Sequence, residues 1–373
     1  MSASQPNSSP AQPRATDAQH ARNSVLKKLM SYCLPWIITV SMVIWMFHNI
    51  DAQRLWQIIT QQSNVWWLAA GMVLFTTAAL MFRGVRWEMQ VRQAGGSLAP
   101  MAVGSMAIFG AYALNLLFPR LGEAWRCWYV SRRQNCPFMT VVGTDIGDRT
   151  ADLIVVILIV AMALLFTPAA MAEFFHRFEV GRVVMGLFGS VWTWVVLLLV
   201  VFFCWGCMHF GRGHAWAEAV SRGLRRIGAG FMSLFRLRPM GVFLWLTLGI
   251  WVCNYLQTYL CLFGFQFTQH IVTTPGNYFG LGLGLVILVM GSCSTIIPSN
   301  GGLGPWTIGV AYALELYGFS HTDATAFALA AWCVQAITLV FLGIIAAFYT
   351  RRLRTTDTAQ SLTAAASKTA QKA

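Results

Sequence analysis

The chain has 373 residues, of which 57% are hydrophobic and only 10% are charged, and its formal net charge is +13. This composition, with a mean hydropathy of +0.59, indicates a membrane protein with several spans and excludes a soluble domain or a nucleic-acid-binding protein. Apolar stretches of bilayer length favour helices over the short alternating strands of a membrane barrel. The predicted fold class is therefore an all-α polytopic membrane protein.

The two ends of the chain differ in composition from its middle. Residues 1–23 are rich in Ser, Ala, Gln and Pro and have no apolar face. We predict a disordered tail over 1–33. The membrane domain is predicted over 34–350, and the Thr-, Ala- and Gln-rich residues 351–373 are predicted to form a second disordered tail. Both tails are basic, and basic segments stay in the cytoplasm during membrane insertion. Both termini are therefore expected to be cytoplasmic.

Nine apolar runs are candidate membrane segments. They lie at 34–48, 65–82, 98–118, 141–166, 183–208, 241–265, 277–297, 306–319 and 326–349. If all of them crossed the membrane, the two basic tails would lie on opposite sides, which conflicts with their shared charge. Arginines flank segment 98–118 on both sides, and a single crossing cannot place both clusters in the cytoplasm. We therefore predict a re-entrant hairpin over 98–136 that enters and leaves on the cytoplasmic side.

A helix breaker and charged residues interrupt this hairpin near its centre. Pro119 and Gly122 disfavour a continuous helix. Arg120 and Glu123 place charges beside them, and Asn115 adds a polar group one turn earlier. Polar, non-helical backbone is tolerated at membrane depth only inside protein or beside a water-filled cavity. We therefore expect this break to line a polar cavity.

The second half of the chain carries a similar break, again with a Pro three residues before a Gly. Its candidate cavity residues are Pro298, Ser299, Asn300, Gly301, Gly302 and Gly304. The flanks carry almost no charge, which favours entry from the external side. We predict an inverted repeat of helix, broken hairpin and helix over 65–166 and 241–349, as in transporters whose sites lie between two discontinuous segments. The alternative is two unrelated kinks in a helix bundle. The full prediction is about seven spanning helices plus two broken re-entrant hairpins.

Three aspartates follow the first hairpin at helical spacing. Asp145, Asp148 and Asp152 fall on one stripe of a helix. Arg149 lies beside this stripe, four residues from the first aspartate. Carboxylates that enter a membrane helix normally face the interior and are paired. The cluster either forms a polar cavity wall or compensates the helix dipole at an interface. The partners expected for the aspartates are Arg149, Arg120 and Arg126.

The arginines allow two interpretations. A guanidinium presents a planar fork of donors that suits phosphate, and Arg120 and Arg126 lie in or beside the polar break. Arg83 and Arg86 are interpreted only as determinants of topology, which requires positive charge alone. Trp87, like other tryptophans near predicted span ends, is interpreted as an interfacial anchor.

The sequence does not assemble a catalytic centre. Its nine cysteines show no paired metal-ligand spacing. The histidines are scattered, and no nucleophile with a base and an orienting acid can be put together. We therefore predict no enzymatic activity, no metal and no cofactor. For the three aspartates alone, a metal site is the remaining alternative.

Three stretches, taken in chain order, resemble one known family. Residues 115–126, 145–152 and 297–304 are similar to the membrane domain of lysylphosphatidylglycerol synthases and of related flippase-like membrane proteins. The resemblance covers most of 34–350 and implies lipid movement across the bacterial cytoplasmic (inner) membrane, with aminoacyl transfer left to a separate soluble domain. Two departures are the triple aspartate and Gly304-Pro305-Trp306, which replaces an aliphatic and acidic continuation.

We expect a lipid translocase, flippase-like or scramblase-like, that passes the headgroup of a phospholipid or a polyprenyl-linked lipid between the two breaks. The alternatives are an accessory subunit or membrane-embedded enzyme in lipid aminoacyl or glycosyl modification, and a small-solute secondary transporter. The expected partners are membrane lipids and a lipid-modifying glycosyl- or aminoacyltransferase, and no nucleic acid. The candidate cavity residues are Asn115, Pro119, Arg120, Gly122, Glu123, Arg126, Asp145, Asp148, Arg149, Asp152, Pro298, Ser299, Asn300, Gly301, Gly302 and Gly304.

Overall fold

The fold is known from a computed structural model. It describes residues 65–97, 102–118, 120–177, 186, 190–209, 215–274, 280–295, 299 and 301–370. These residues form α-helices and one short 3₁₀ turn and contain no strand. The predicted all-α fold class is thus confirmed, whereas the predicted tail 1–33 and segment 34–48 lie outside the described residues.

Twelve α-helices are found in this part of the chain. They are α1 (Val65–Gln93), α2 (Ala102–Leu117), α3 (Leu121–Arg133), α4 (Phe138–Phe166), α5 (Pro168–Arg177), α6 (Val191–His209), α7 (Ala215–Met232), α8 (Met240–Leu262), α9 (Gln266–Thr273), α10 (Leu281–Ser294), α11 (Pro305–Glu315) and α12 (His321–Ala370). The last helix extends through 351–370, for which the sequence predicts an unstructured tail.

Four of the described helices are long and apolar enough to cross a membrane. They are α1, α4, α8 and α12, whose candidate spans are Trp66–Gln93, Phe138–Phe166, Met240–Leu262 and His321–Arg351. The short apolar helices α2 and α10 are each followed by a break and a second short helix. The described chain therefore shows the same order twice: a long helix, two short helices with a break between them, and another long helix. Helices α1 and α4 flank the first short pair, and α8 and α12 flank the second.

Helices α2 and α3 form the first hairpin. A Cβ added to Gly122 would lie 1.9 Å from the carbonyl oxygen of Ala111, so the two helices touch beside the break. At the other end of the hairpin, the Ser97 amide donates to the Gln134 carbonyl at 2.9 Å. Because Ser97 precedes α2 and Gln134 follows α3, both outer ends of this hairpin lie together.

Helices α10 and α11 form the second hairpin. A Cβ added to Gly291 would lie 2.7 Å from the indole nitrogen of Trp306, close to the break. A Cβ added to Gly282 would lie 3.6 Å from the hydroxyl of Tyr317, at the far ends of the two helices. This pair is therefore antiparallel as well, with its outer ends side by side.

Helix α4 shows that the two hairpins open in opposite directions. The outer end of the first hairpin at Gln134 lies four residues before α4 begins at Phe138. The outer end of the second hairpin contacts the residue after α4, because a Cβ on Gly282 would lie 2.9 Å from Thr167 Cγ2. This arrangement agrees with an inverted repeat, which stays a prediction.

Each hairpin packs in its own hydrophobic core. The first core joins α1, α2, α3 and α12 around Trp87, Ile108 and Leu342. The second joins α8, α10, α11 and α12 around Leu262, Ile287 and Phe327. Since α12 contributes to both cores, it holds the hairpins in a fixed relation, as close packing does for helices in membranes.

Candidate functional site

The two breaks meet at Asn115 and Gly301. The Gly301 amide donates a hydrogen bond to the Asn115 carbonyl at 2.9 Å, and the Asn115 side chain accepts one from the Gly122 amide at 2.9 Å. The indole of Trp332 on α12 donates to the Gly301 carbonyl at 3.0 Å. Asn115 therefore binds the backbone across its own break, at Gly122, and the backbone of the second break, at Gly301. We call the Asn115–Gly301 hydrogen bond the tip contact.

The backbone at the tip contact requires glycine in two places. Gly301 has a φ of 60°, and a Cβ there would lie 2.4 Å from Leu116 Cδ2. Gly122 leaves no space for a Cβ against the Ala111 carbonyl. A side chain at either position would push the tips apart, since residues with a Cβ rarely adopt this left-handed conformation or tolerate so close an approach.

Beside the tip contact lies a buried ion cluster between α1 and α4. Arg86 Nη2 lies 2.7 Å from Asp148 Oδ1 and 2.7 Å from Asp152 Oδ1, and neither Arg86 nor Asp148 has any exposed side-chain surface. Arg83 pairs with Asp152 as well. The hydroxyl of Thr247 on α8 accepts a further hydrogen bond from Arg86 Nη1 at 3.2 Å. Three helices are joined through these side chains.

These charges lie well inside two candidate spans. Arg83 precedes the end of α1 at Gln93 by ten residues, and Asp148 follows the start of α4 at Phe138 by ten residues. Ten residues of helix correspond to about 15 Å along its axis. Ionised side chains at such depth are costly and occur where they are paired and face a protein interior or a pathway.

Two further ion pairs connect α3 to α4. Arg126, which is 1% exposed, pairs with Asp145. Arg149 Nη2 lies 2.6 Å from Glu123 Oε1, and both side chains are more than a third exposed, at 41% and 34%. The Arg126–Asp145 pair thus lies deep in the protein, whereas the Arg149–Glu123 pair lies at an accessible rim. With the pairs between α1 and α4 they complete the ion cluster, whose members are Arg83, Arg86, Arg126, Arg149, Glu123, Asp145, Asp148 and Asp152.

The ion cluster is balanced in charge. It contains equal numbers of arginines and carboxylates, and each arginine has a carboxylate partner. Removing one of the buried members would leave a buried charge poorly compensated, which is far more costly than losing an exposed pair. A metal ion would have to displace a guanidinium from these carboxylates. Within the described residues, no group of three His, Cys, Asp or Glu side chains is placed to hold a metal.

The partners predicted for the aspartates need correction. Arg126 does pair with Asp145, but Asp148 and Asp152 pair with Arg83 and Arg86 on α1 instead of the arginines near the break. The sequence interpretation assigned both α1 arginines to topology alone. A signal was present, because Arg83 and Arg86 fall on one helical face directly after the apolar run 65–82, and arginines within a membrane helix are rare unless they are paired.

Trp87 was also interpreted wrongly. It has no exposed surface and donates from its indole nitrogen to the Thr144 hydroxyl at 3.2 Å. The Arg126 guanidinium carbon lies 4.8 Å from the centre of its ring, a distance at which cation and ring attract each other. Trp87 therefore packs against the ion cluster. Trp66 and Trp67 are exposed, as interfacial anchors would be.

The remaining predicted residues lie around the two tips. Arg120 is exposed and adopts a left-handed φ of 64° at the first break. Ser299 is half-buried, and Gly302 and Gly304 have φ values of 80° and 95°. Pro119, Pro298 and Asn300 lie outside the described residues. The structure thus brings Asn115, Gly122 and Gly301 into direct contact and leaves Arg120 at the surface.

Cys127 lies next to Arg126 on α3 but is not prepared for nucleophilic chemistry. Cys127 is 3% exposed and packs with apolar side chains of the first core, among them Ile108 and Val130. Structural cysteines buried in this way are inert. Cys127 is therefore part of the packing of the first core.

Comparison with known proteins agrees with these features. The model of the family described as Lysylphosphatidylglycerol synthase TM region matches residues 33–346. Comparison with curated proteins and with solved structures gave no match. The matched range includes both hairpins, the tip contact and the whole ion cluster. The chain belongs to the family of lysylphosphatidylglycerol synthase transmembrane regions, whose members are multi-pass membrane proteins of lipid modification or transport.

Proposed function

We propose that this protein is a lipid translocase, of flippase or scramblase type, that moves a phospholipid or polyprenyl-linked headgroup between the two hairpin tips. The observation that carries the proposal is the tip contact, where two oppositely opening hairpins meet through one backbone hydrogen bond. Transporters built from inverted repeats bind their substrates where two discontinuous segments meet. The ion cluster beside the tips supplies the polar surface that a headgroup requires.

A lipid fits this site better than a small solute does. Asp152 in the ion cluster is followed on α4 by Leu153 and Ile154, which are 59% and 54% exposed. One face of this helix therefore carries charge, and the adjoining face is apolar and open. A lipid can keep its headgroup against the first face while its chains stay in contact with the second.

Passage of a headgroup requires two changes at the site. The Asn115–Gly301 hydrogen bond must open, because it closes the space between the two tips. The ion pairs must also exchange partners with the headgroup as it moves. A balanced cluster permits this exchange. A charged part of the headgroup can replace the side chain that it displaces, so that no buried charge is left uncompensated.

Reconstitution tests the proposal. Purified protein is placed in vesicles that contain nitrobenzoxadiazole-labelled phosphatidylglycerol, and dithionite is added outside to quench accessible label. We expect protein-containing vesicles to lose more fluorescence than protein-free vesicles, with Arg225→Gln on the exposed face of α7 as a control that retains the activity. Rates equal to those of empty vesicles, for several phospholipids and for polyprenyl-linked glycans, would refute the proposal.

A further inference from the structure

Helix α8 carries two side-chain amides in the middle of its span. Asn254 and Gln257 lie three residues apart, so they are neighbours on one face of the helix. Both are half-buried, and neither side chain forms a hydrogen bond within the described part of the chain. An amide without a partner is costly at membrane depth. The packing of α8 therefore gives no reason for either amide.

The surface of α8 is closed around these amides but open at them. Ile250 lies one turn before Asn254, Cys261 lies one turn after Gln257, and these two neighbours are 0% and 5% exposed. Within α8, which the structure describes completely, only the Trp251 indole nitrogen is both buried and without a partner. The polar atoms of the two amides are therefore accessible. A local opening in the buried face of α8 accounts for this pattern.

The opening lies beyond the ion cluster along the same helix. Thr247, whose hydroxyl accepts a hydrogen bond from Arg86 at 3.2 Å, precedes Asn254 by seven residues, or two helical turns. Two turns correspond to about 10 Å along the axis and bring the two side chains to the same face. A headgroup that leaves the ion cluster along this face of α8 meets the amides next.

The amides suit a neutral group that both donates and accepts hydrogen bonds. A side-chain amide offers two donors and one acceptor oxygen, and an alcohol hydroxyl likewise has a donor and acceptor lone pairs. A phosphate or an ammonium group would bring a charge to this depth, and α8 contains no charged residue to compensate it. Hydroxyl groups therefore match the opening better than charged groups do.

We propose that Asn254 and Gln257 form a mid-span subsite for the uncharged, hydroxyl-bearing part of a lipid headgroup, namely glycerol or a sugar. The lipid nature of the ligand rests on the proposed function. The subsite adds a substrate class to that function, because lipids with free hydroxyl groups are preferred over lipids of equal charge that have none.

Calorimetric titration of the purified full chain, in a detergent without sugar groups, tests this preference. The first pair of probes is dihexanoyl phosphatidylglycerol and dihexanoyl phosphatidylpropanol, which have the same charge and differ in the two hydroxyl groups. Wild type should bind the first about ten-fold more tightly, as expected for two hydrogen bonds between neutral groups. The second pair, glucosyl dihexanoylglycerol and dihexanoylglycerol, tests sugar hydroxyls without phosphate. A preference in either pair supports the subsite and identifies its ligand.

The double variant Asn254→Leu/Gln257→Met should bind both members of each pair equally. Its new side chains are apolar and similar in size to the amides, so it should unfold at a temperature no lower than wild type does. Gln269→Met, which changes an exposed amide on α9, is the matched control and should keep the preference.

The outcomes separate this subsite from the proposed function. A preference that is absent from wild type, or that survives in the double variant, overturns the subsite even if vesicles still show translocation. A lower unfolding temperature of the double variant would assign the amides to the fold and also overturn it. A preference that the double variant loses, in a protein that moves no lipid, supports the subsite and refutes translocation alone.

Discussion

Asp148 and Arg86 form an ion pair with no exposed side-chain surface on either residue, with 2.7 Å between Oδ1 and Nη2. They belong to helices α4 and α1, which flank the first hairpin on both sides. The pair therefore holds together the two helices that lie before and after the hairpin whose tip contacts Gly301. Because each charge has a partner, the chain can keep both of them inside candidate spans, where a membrane helix otherwise avoids charge.

Breaking this pair should destabilise the protein strongly. Arg86→Gln leaves the buried Asp148 with only the more distant Arg83, whose Nη1 lies 3.9 Å from Asp148 Oδ2. We expect a loss of about 3–5 kcal/mol in the free energy of unfolding. Unfolding in detergent, followed by tryptophan fluorescence, measures the loss. The double variant Arg86→Gln/Asp148→Asn removes both charges and should recover part of it. Arg225→Gln, on an exposed arginine, should change stability little, and a similar loss there would contradict this assignment.

The contact between the two helices of the first hairpin should depend on Gly122. Gly122→Ala places a Cβ 1.9 Å from the Ala111 carbonyl oxygen, and we expect a loss of about 1–3 kcal/mol, which is typical of overpacking. Gly223→Ala is the matched control, because a Cβ there meets nothing within 4 Å. Since alanine favours helix over glycine, this control should stabilise by up to about 1 kcal/mol. Equal melting temperatures for the two variants would be inconsistent with the close approach.

Asn115 should hold the first break in its observed geometry. Asn115→Ala removes the acceptor for the Gly122 amide but keeps the backbone carbonyl that binds Gly301. We expect faster hydrogen exchange in the peptide that contains Gly122, by about the factor that corresponds to 1 kcal/mol. Mass spectrometry of the exchanged protein measures this. Unchanged exchange at the break would show that the side-chain bond does not hold it.

The opposite openings of the two hairpins predict opposite labelling. Arg225 on α7 lies near the start of α4, where Gly230 and Gly143 approach closely, and we expect it in the cytoplasm. Thr273 ends α9, whose Val272 contacts Gly280 at the outer end of the second hairpin, and we expect it outside. In intact cells, a membrane-impermeant maleimide should label Thr273→Cys and spare Arg225→Cys. Wild-type protein is the control for labelling of the native cysteines. Labelling of both variants from outside would refute the arrangement.

The sequence predicted the local features of this fold but could not assign their partners. Pro119, Gly122 and the glycines after Pro298 disrupt helices through their own backbone chemistry, so both breaks could be located from the chain alone. The bond between Asn115 and Gly301 joins residues far apart in sequence, and its formation depends on how two hairpins pack. For the same reason, the pairing of Arg86 with Asp148 on another helix could not be predicted from the positive charge of Arg86.

A reversible cross-link between the tips tests the central claim most directly. A Cβ at Gly301 would lie 3.3 Å from Leu116 Cα, so Leu116→Cys/Gly301→Cys places two thiols within reach of a disulfide. Lipid translocation is measured in vesicles after oxidation and again after reduction. Oxidised Leu116→Cys and oxidised Gly301→Cys are the controls, since a side chain at Gly301 alone strains the tip contact. If headgroups pass between the tips, the cross-linked protein should stop translocating and recover on reduction. Translocation that continues at the full rate with the tips cross-linked would contradict the account.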